Sequence, residues 1–149
     1  MTESSASLRV VTPWHVWLVG VLALLWNCVG AFDYFMTESH NASYLSAFTP
    51  QQLAYFDSFP AWVVATWALG VWGGVLGSVL LLLRRKSAVP VFVISLVGML
   101  ITFFHNYMLA DWFATMGGMS GLAFTVAIVI VGVALLLYSR SLARNGILR

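Results

Sequence analysis

From Pro60 to Leu83 the chain carries no charged side chain, and the basic triplet Arg84-Arg85-Lys86 follows at once. An uncharged apolar run of about 20 residues or more can cross a bilayer core as a helix. The same run holds Gly70, Gly73, Gly74 and Gly77. At roughly 100° per residue these four share one narrow face with Thr66. The pairs Gly70/Gly74 and Gly73/Gly77 are both G-x-x-x-G, a spacing that lets helix backbones approach closely in lipid. This span is therefore expected to be the one around which the others pack, with its glycines at the helix contacts.

The rest of the chain cannot build a water-facing surface to bury such a run. Only 8% of the 149 residues are charged and 61% are hydrophobic, against about 25% charged in a soluble domain. Residues 1–149 read as a single membrane domain. The one cysteine, Cys28, sits in an apolar run. It excludes an intramolecular disulfide, a C-x-x-C redox pair and a cysteine-rich metal site, and is expected to be a buried small apolar residue.

The hydropathy pattern gives four spans: about 13–35, 60–83, 88–109 and 121–138. Residues 1–12 are polar and read as frayed. Thr12-Pro13 reads as a helix start, with a hydroxyl N-cap and proline at the first helical position. Trp14 and Trp17 at one end of the first span, and Phe32, Tyr34 and Phe35 at the other, match interfacial aromatic belts. A cleaved signal peptide is disfavoured, because Trp26 and Phe32 are bulky and no small-residue cleavage site follows. The loop 36–59 carries Glu38, His40, Asn41 and Asp57 but no Lys or Arg. Within it Thr49-Pro50-Gln51-Gln52 reads as a capping box, opening a short surface helix through Leu53, Tyr55 and Phe56. Asn41-Ala42-Ser43 has the form of a glycosylation sequon and is read as chance. Ser87 and Pro90 open the third span. A second loop, 110–120, carries Asp111 and Trp112.

The charges sort by side. All seven Lys and Arg (Arg9, Arg84, Arg85, Lys86, Arg140, Arg144 and Arg149) fall at one side of the four spans. Asp33, Glu38, Asp57 and Asp111 fall at the other. The positive-inside rule counts Lys and Arg, so both termini are expected in the cytoplasm and both long loops outside.

Away from their ends the spans contain no Asp, Glu, Lys or Arg. A central charge costs about 2.5–3.5 kcal/mol on insertion scales, and proton-coupled transporters accept that cost to gain a titratable group. Its absence disfavours a proton antiporter of the small multidrug resistance type but not a facilitator for a neutral solute. Milder polar groups form stripes: Asn27, Gly30, Ala31 and Tyr34 on the first span; Ser95, Gly98, Thr102, His105 and Asn106 on the third; Gly121, Thr125 and Gly132 on the fourth. The four stripes are expected to meet. Asn27, Asp33, His105 and Asn106 all lie toward the outer ends of their spans and form the candidate ligand-binding set. The two asparagines would orient a ligand by hydrogen bonds, and Asp33 would accept from the ligand or from His105. His105 would make any ligand effect vary between about pH 5 and 8. The competing reading is that these groups tie helices together, each bond contributing about 0.6 kcal/mol on average. No metal set, cofactor motif, phosphate loop, nucleophile–base pair or nucleic-acid patch is visible, so catalytic chemistry is not expected. The expected partners are the lipid bilayer, a second copy or a larger membrane protein, and a small neutral solute.

The words Pro13-Trp14-His15, Trp26-Asn27, Gly30-Ala31-Phe32-Asp33-Tyr34, Phe59-Pro60-Ala61-Trp62-Val63-Val64-Ala65 and Trp67-Ala68-Leu69-Gly70-Val71-Trp72-Gly73 carry a resemblance. Over roughly residues 13–110 the chain resembles a family of small four-span inner-membrane proteins of proteobacteria, some of them labelled automatically as sugar transporters. The resemblance implies an inner-membrane location and brings no catalytic residues with it. No internal repeat of the kind common in transporter folds stands out. The function expected is a small-solute transporter or transporter subunit with an outward-facing polar pocket. The alternative is a structural or accessory protein packed against a larger partner.

Overall fold

The computed structural model describes residues 11–149, and over these the chain forms seven α-helices. They are α1 (Trp14–Glu38), α2 (Ala42–Leu45), α3 (Pro50–Asp57), α4 (Ala61–Leu82), α5 (Ala88–Phe104), α6 (Trp112–Thr115) and α7 (Gly118–Arg144), and no strand occurs among the described residues. Four are long and apolar enough to cross a membrane: α1, α4, α5 with its continuation to Leu109, and α7. At 1.5 Å per residue the 22 residues of α4 reach about 33 Å, enough for a hydrocarbon core of about 30 Å. The chain is an all-α, multi-pass membrane protein built on a four-helix bundle. Arg9 and the polar residues up to position 10 lie outside the described residues.

Two spans run longer than hydropathy implies. α1 continues past Phe35 to Glu38, and α7 begins at Gly118 and continues past Tyr138 to Arg144. Leaving hydrocarbon does not end a helix. Ser139 to Arg144 contains no breaker, and α7 stops only before Gly146, whose φ of 69° suits glycine. At the start of α1 the N-cap is Pro13 and no side chain caps it. The Thr12 hydroxyl accepts instead from Arg84 Nη1 at 2.8 Å. Cys28 is exposed rather than buried, because it lies on the outer side of α1.

Between α1 and α4 the loop contains two short helices. The capping box of α3 is present: Gln52 N–H donates to Thr49 Oγ1 at 3.3 Å and Thr49 N–H donates to Gln52 Oε1 at 3.0 Å. α3 packs on the bundle through aromatic rings. Tyr55 meets Phe59 at 5.2 Å and Trp112 at 5.8 Å edge-on, and Phe56 stacks near-parallel on Trp67 at 6.3 Å. Asn41 caps α2 by accepting from Tyr44 N–H at 3.0 Å, which gives that asparagine a structural role.

α4 is the centre of packing, with α1 on one side and α5 on the other, and α7 packs on α5. The glycines divide between the two neighbours. A Cβ at Gly74 would run into the Asn27 side chain of α1; one at Gly73 would lie 2.9 Å from Ser95 Cβ, and one at Gly77 2.7 Å from the Phe92 ring, both on α5. Gly70 and Gly98 bring the α4 and α5 backbones themselves together: a Cβ at Gly98 would lie 2.8 Å from Thr66 O and 3.1 Å from Gly70 N. Hydroxyls stitch this seam on both sides of Gly98. Ser95 Oγ donates to Gly70 O at 2.5 Å, and the Thr66 and Thr102 hydroxyls are 2.9 Å apart. The stripe Ser95, Gly98 and Thr102 thus packs on α4, while Ser95 and Thr102 also border the space where the stripes of all four spans meet.

One end of the bundle gathers the described basic residues and the other Asp33, Asp57 and Asp111. At the basic end Val16, Leu81, Ala88, Leu142 and Leu148 are buried together. The C-terminus is clasped there: Arg149 N–H donates to Arg84 O at 2.7 Å and Lys86 N–H donates to Arg149 O at 3.0 Å.

Candidate functional site

Small residues that let α4 approach its neighbours leave space elsewhere. α1 and α7 meet through side chains: His15 Nδ1 lies 2.6 Å from the Tyr138 hydroxyl near the basic end, and the Trp26 and Phe124 rings lie 6.2 Å apart farther along. Behind that seam is a cavity of about 640 Å³ walled by all four spanning helices. Its volume is within the roughly 300–1,000 Å³ range of small-molecule sites. α1 contributes Asn27, Gly30 and Asp33; α4 contributes Trp67 and Val71; α5 contributes Leu96, Met99 and Phe103; α7 contributes Phe124, Ile128 and Gly132. Phe92 and Leu135, both buried, lie where the cavity meets the hydrophobic plug of the basic end. The cavity therefore extends from Asp33 near the acidic end into the basic half and is floored by packed apolar side chains.

Its polar groups are few and each has a defined state. Asn27 Nδ2 donates to Ala23 O at 2.8 Å and to Ser78 Oγ at 3.2 Å. Ser78 in turn donates to Gly74 O at 2.8 Å. The amide nitrogen is thus spent on tying α1 to α4. Asp33 lies at the acidic end of the cavity, half-buried, and one carboxylate oxygen accepts from the Tyr44 hydroxyl. Tyr44 also lines the cavity. Burial, and then the hydrogen bond and charge of Asp33, push the Tyr44 phenol up to about 12. It remains a protonated donor at any physiological pH, so it holds α2 against α1 over the cavity end.

His105 and Asn106 are not in this cavity. The last turn of α5 widens to π geometry over His105–Leu109, with Ala110 N–H donating to His105 O at 2.9 Å. The wider turn brings two successive side chains inside, and both are buried. His105 Nδ1 lies 3.3 Å from Asn106 Oδ1, which also accepts from the Tyr55 hydroxyl at 3.3 Å. The imidazole sits edge-on to Phe59 at 5.7 Å and to Trp62 at 5.3 Å. Burial, and then the nearby Tyr107 and Asp111, push the Tyr55 phenol up to about 12, so it too stays a donor. This second cluster anchors α3 to α5. Asp33 and His105 do not pair: one Asp33 oxygen accepts from Tyr44, while His105 lies against Asn106, Phe59 and Trp62; the four candidate residues separate into a cavity pair and an anchoring pair.

Reading the sequence for polar groups also misses most of the cavity wall. Trp67, Leu96, Met99 and Phe103 are apolar and indistinguishable in sequence from packing residues. Tyr44 lies in a loop with no periodic pattern to assign it. The small and polar stripes carry the usable signal: Asn27 and Gly30, Gly70 and Gly74, Ser95 and Thr102, and Gly132 all line the cavity. Among the described residues no three of His, Cys, Asp and Glu gather as a metal set. Comparison with protein-family models, with curated proteins and with solved structures found no match.

Proposed function

We propose that this protein is a four-span bacterial inner-membrane protein that takes a small molecule into the cavity between its helices, as a transporter or the membrane subunit of one. The observation that carries this reading is that all four spanning helices wall one cavity of about 640 Å³. A bundle that served only as a scaffold gains stability by filling such a space, since cavities are destabilising in proportion to their volume. The apolar plug at one end and the polar residues Asp33 and Tyr44 at the other support access from the acidic end. The resemblance to four-span proteobacterial proteins supports the location and is silent on the substrate.

The distribution of Lys and Arg supports an orientation with the basic end in the cytoplasm. A reporter active only in the periplasm is expected to work when inserted near Asn41 and to be silent after Arg149; the reverse pattern overturns the orientation. The binding reading is tested by thermal melting of the purified protein against a broad panel of sugars, polyols, amines and amphiphiles, followed by uptake into liposomes. At least one class should raise the melting temperature in a concentration-dependent way, because a ligand that binds only the folded state stabilises it. A panel with no stabilising member leaves the accessory role, in which Asn27 and the His105–Asn106 pair act only as ties between helices.

A further inference from the structure

The chemistry of the cavity wall selects among ligands. Asp33 places a carboxylate in a predominantly apolar cavity, and every Lys and Arg among the described residues lies toward the opposite end of the spans. Tyr44 gives the carboxylate one hydrogen bond and no positive charge. Aromatic side chains surround the remainder: Trp26, Phe32, Trp67, Phe103 and Phe124 all line the cavity. The faces of such rings attract cations, more strongly as water is removed. A carboxylate without a cationic partner at the edge of low-dielectric surroundings attracts a cation and repels an anion.

The way in has the same character. Trp26, Val29, Phe32 and Phe124 line the cavity and are at once exposed on the lipid-facing surface of the bundle, Val29 at 68% and Phe124 at 60%. The cavity thus communicates with the surface along the α1–α7 seam, where a molecule dissolved in the bilayer would meet it. A strongly hydrated solute would find few hydrogen-bonding groups inside, because Asn27 Nδ2, Ser95 and Thr102 are already bonded to the protein.

We propose that the ligand is a lipophilic organic cation, with its charged group at Asp33 and its apolar body between Trp67, Met99, Phe103 and the α7 wall. This rests on the reading of the cavity as a binding site, and it replaces the neutral, sugar-like solute with an amphiphilic amine or onium ion entering from the membrane.

The test is equilibrium binding to the purified full chain in neutral detergent, using tetraphenylphosphonium, neutral triphenylphosphine oxide and tetraphenylborate. The phosphonium and the borate match in size and differ in the sign of the charge. Tetraphenylphosphonium should bind about tenfold or more tighter than the neutral compound, a difference of about 1.4 kcal/mol, and the borate more weakly than either. Asp33→Asn keeps an acceptor for Tyr44 and should reduce the cation preference to near unity while leaving the neutral compound's affinity unchanged. If the neutral compound binds as well as the cation, the cation assignment is overturned while the cavity stands as a site. If Asp33→Asn keeps the full preference, the charged group does not sit at Asp33 and the proposal fails. If none of the three binds, this proposal fails, and only a silent wider panel would remove the binding site as well. Should Asp33→Asn not fold, the comparison of the three probes on the unchanged chain decides alone.

Discussion

Gly98→Leu should leave little folded protein. The Cβ that any substitution adds at this position lies 2.8 Å from Thr66 O and 3.1 Å from Gly70 N. Both are backbone atoms of α4, so no rotamer change can clear them. The two helices must move apart, and the separation stretches the Ser95–Gly70 and Thr66–Thr102 hydrogen bonds on either side. Overpacking a close-packed site typically costs about 1–3 kcal/mol and occasionally more. Here the obstacle is backbone and the seam is the central one of the bundle, so the expected loss is about 3 kcal/mol or greater. That is a large part of the ~5–15 kcal/mol by which folded proteins are usually stable. Val97→Leu, one residue away on an exposed face, should melt with the parent in the same detergent. Parent-like melting of Gly98→Leu would show that α4 and α5 do not approach as described.

Gly30→Leu should do the reverse, preserving the fold and removing ligand binding. A Cβ at Gly30 meets nothing nearer than Val71 Cγ1 at 3.7 Å, an ordinary contact, and the rest of the side chain projects into the cavity that Gly30 lines. Leucine is also a better helix former than glycine, by roughly 0.5–1 kcal/mol in a helix interior. The melting temperature should hold or rise, while any ligand found for the parent should bind at least about tenfold more weakly, a loss of about 1.4 kcal/mol. Gly74→Leu makes the contrast on the same face of the bundle. Its Cβ collides with Asn27 and displaces the Asn27–Ser78 tie, so it should lose about 1–3 kcal/mol.

The architecture was legible because lipid imposes a simple rule: an uncharged stretch of sufficient length must satisfy its backbone internally, and does so as a helix. The Gly70/Gly74 and Gly73/Gly77 spacing also pointed correctly to close contacts, since a missing side chain is a direct statement about distance. The spacing did not say which neighbour each glycine would meet. Gly73 turned out to face α5 and Gly74 α1, although they are adjacent in sequence.

The site was less legible. Depth along the membrane grouped Asn27, Asp33, His105 and Asn106, but depth fixes only one coordinate. The rotation of each helix decides which polar groups share a space, and the π turn at His105 changed that rotation locally. No periodicity computed at 100° per residue anticipates it. Polar residues such as Asn27, Ser95 and Thr102 do line the cavity, but their presence does not reveal free hydrogen-bonding capacity, because hydroxyls in a bundle are mostly spent on backbone carbonyls, as those of Ser95, Thr102 and Ser139 are. The cavity is defined by where side chains end, and its marks on α1 and α7 are the missing side chains at Gly30 and Gly132.

The measurement that bears most directly on the cavity is photolabelling in proteoliposomes with a small neutral apolar diazirine, with adducts mapped by mass spectrometry. Leu25, Leu69 and Leu76 face outward and should be labelled in any case. Leu96, Met99 and Phe103 should also be labelled if the space they line admits molecules from the bilayer, and Gly30→Leu should suppress those adducts while sparing the outward ones. Labelling confined to outward residues, or adducts at Met99 that Gly30→Leu leaves unchanged, would contradict a ligand-accepting cavity within the four-helix bundle.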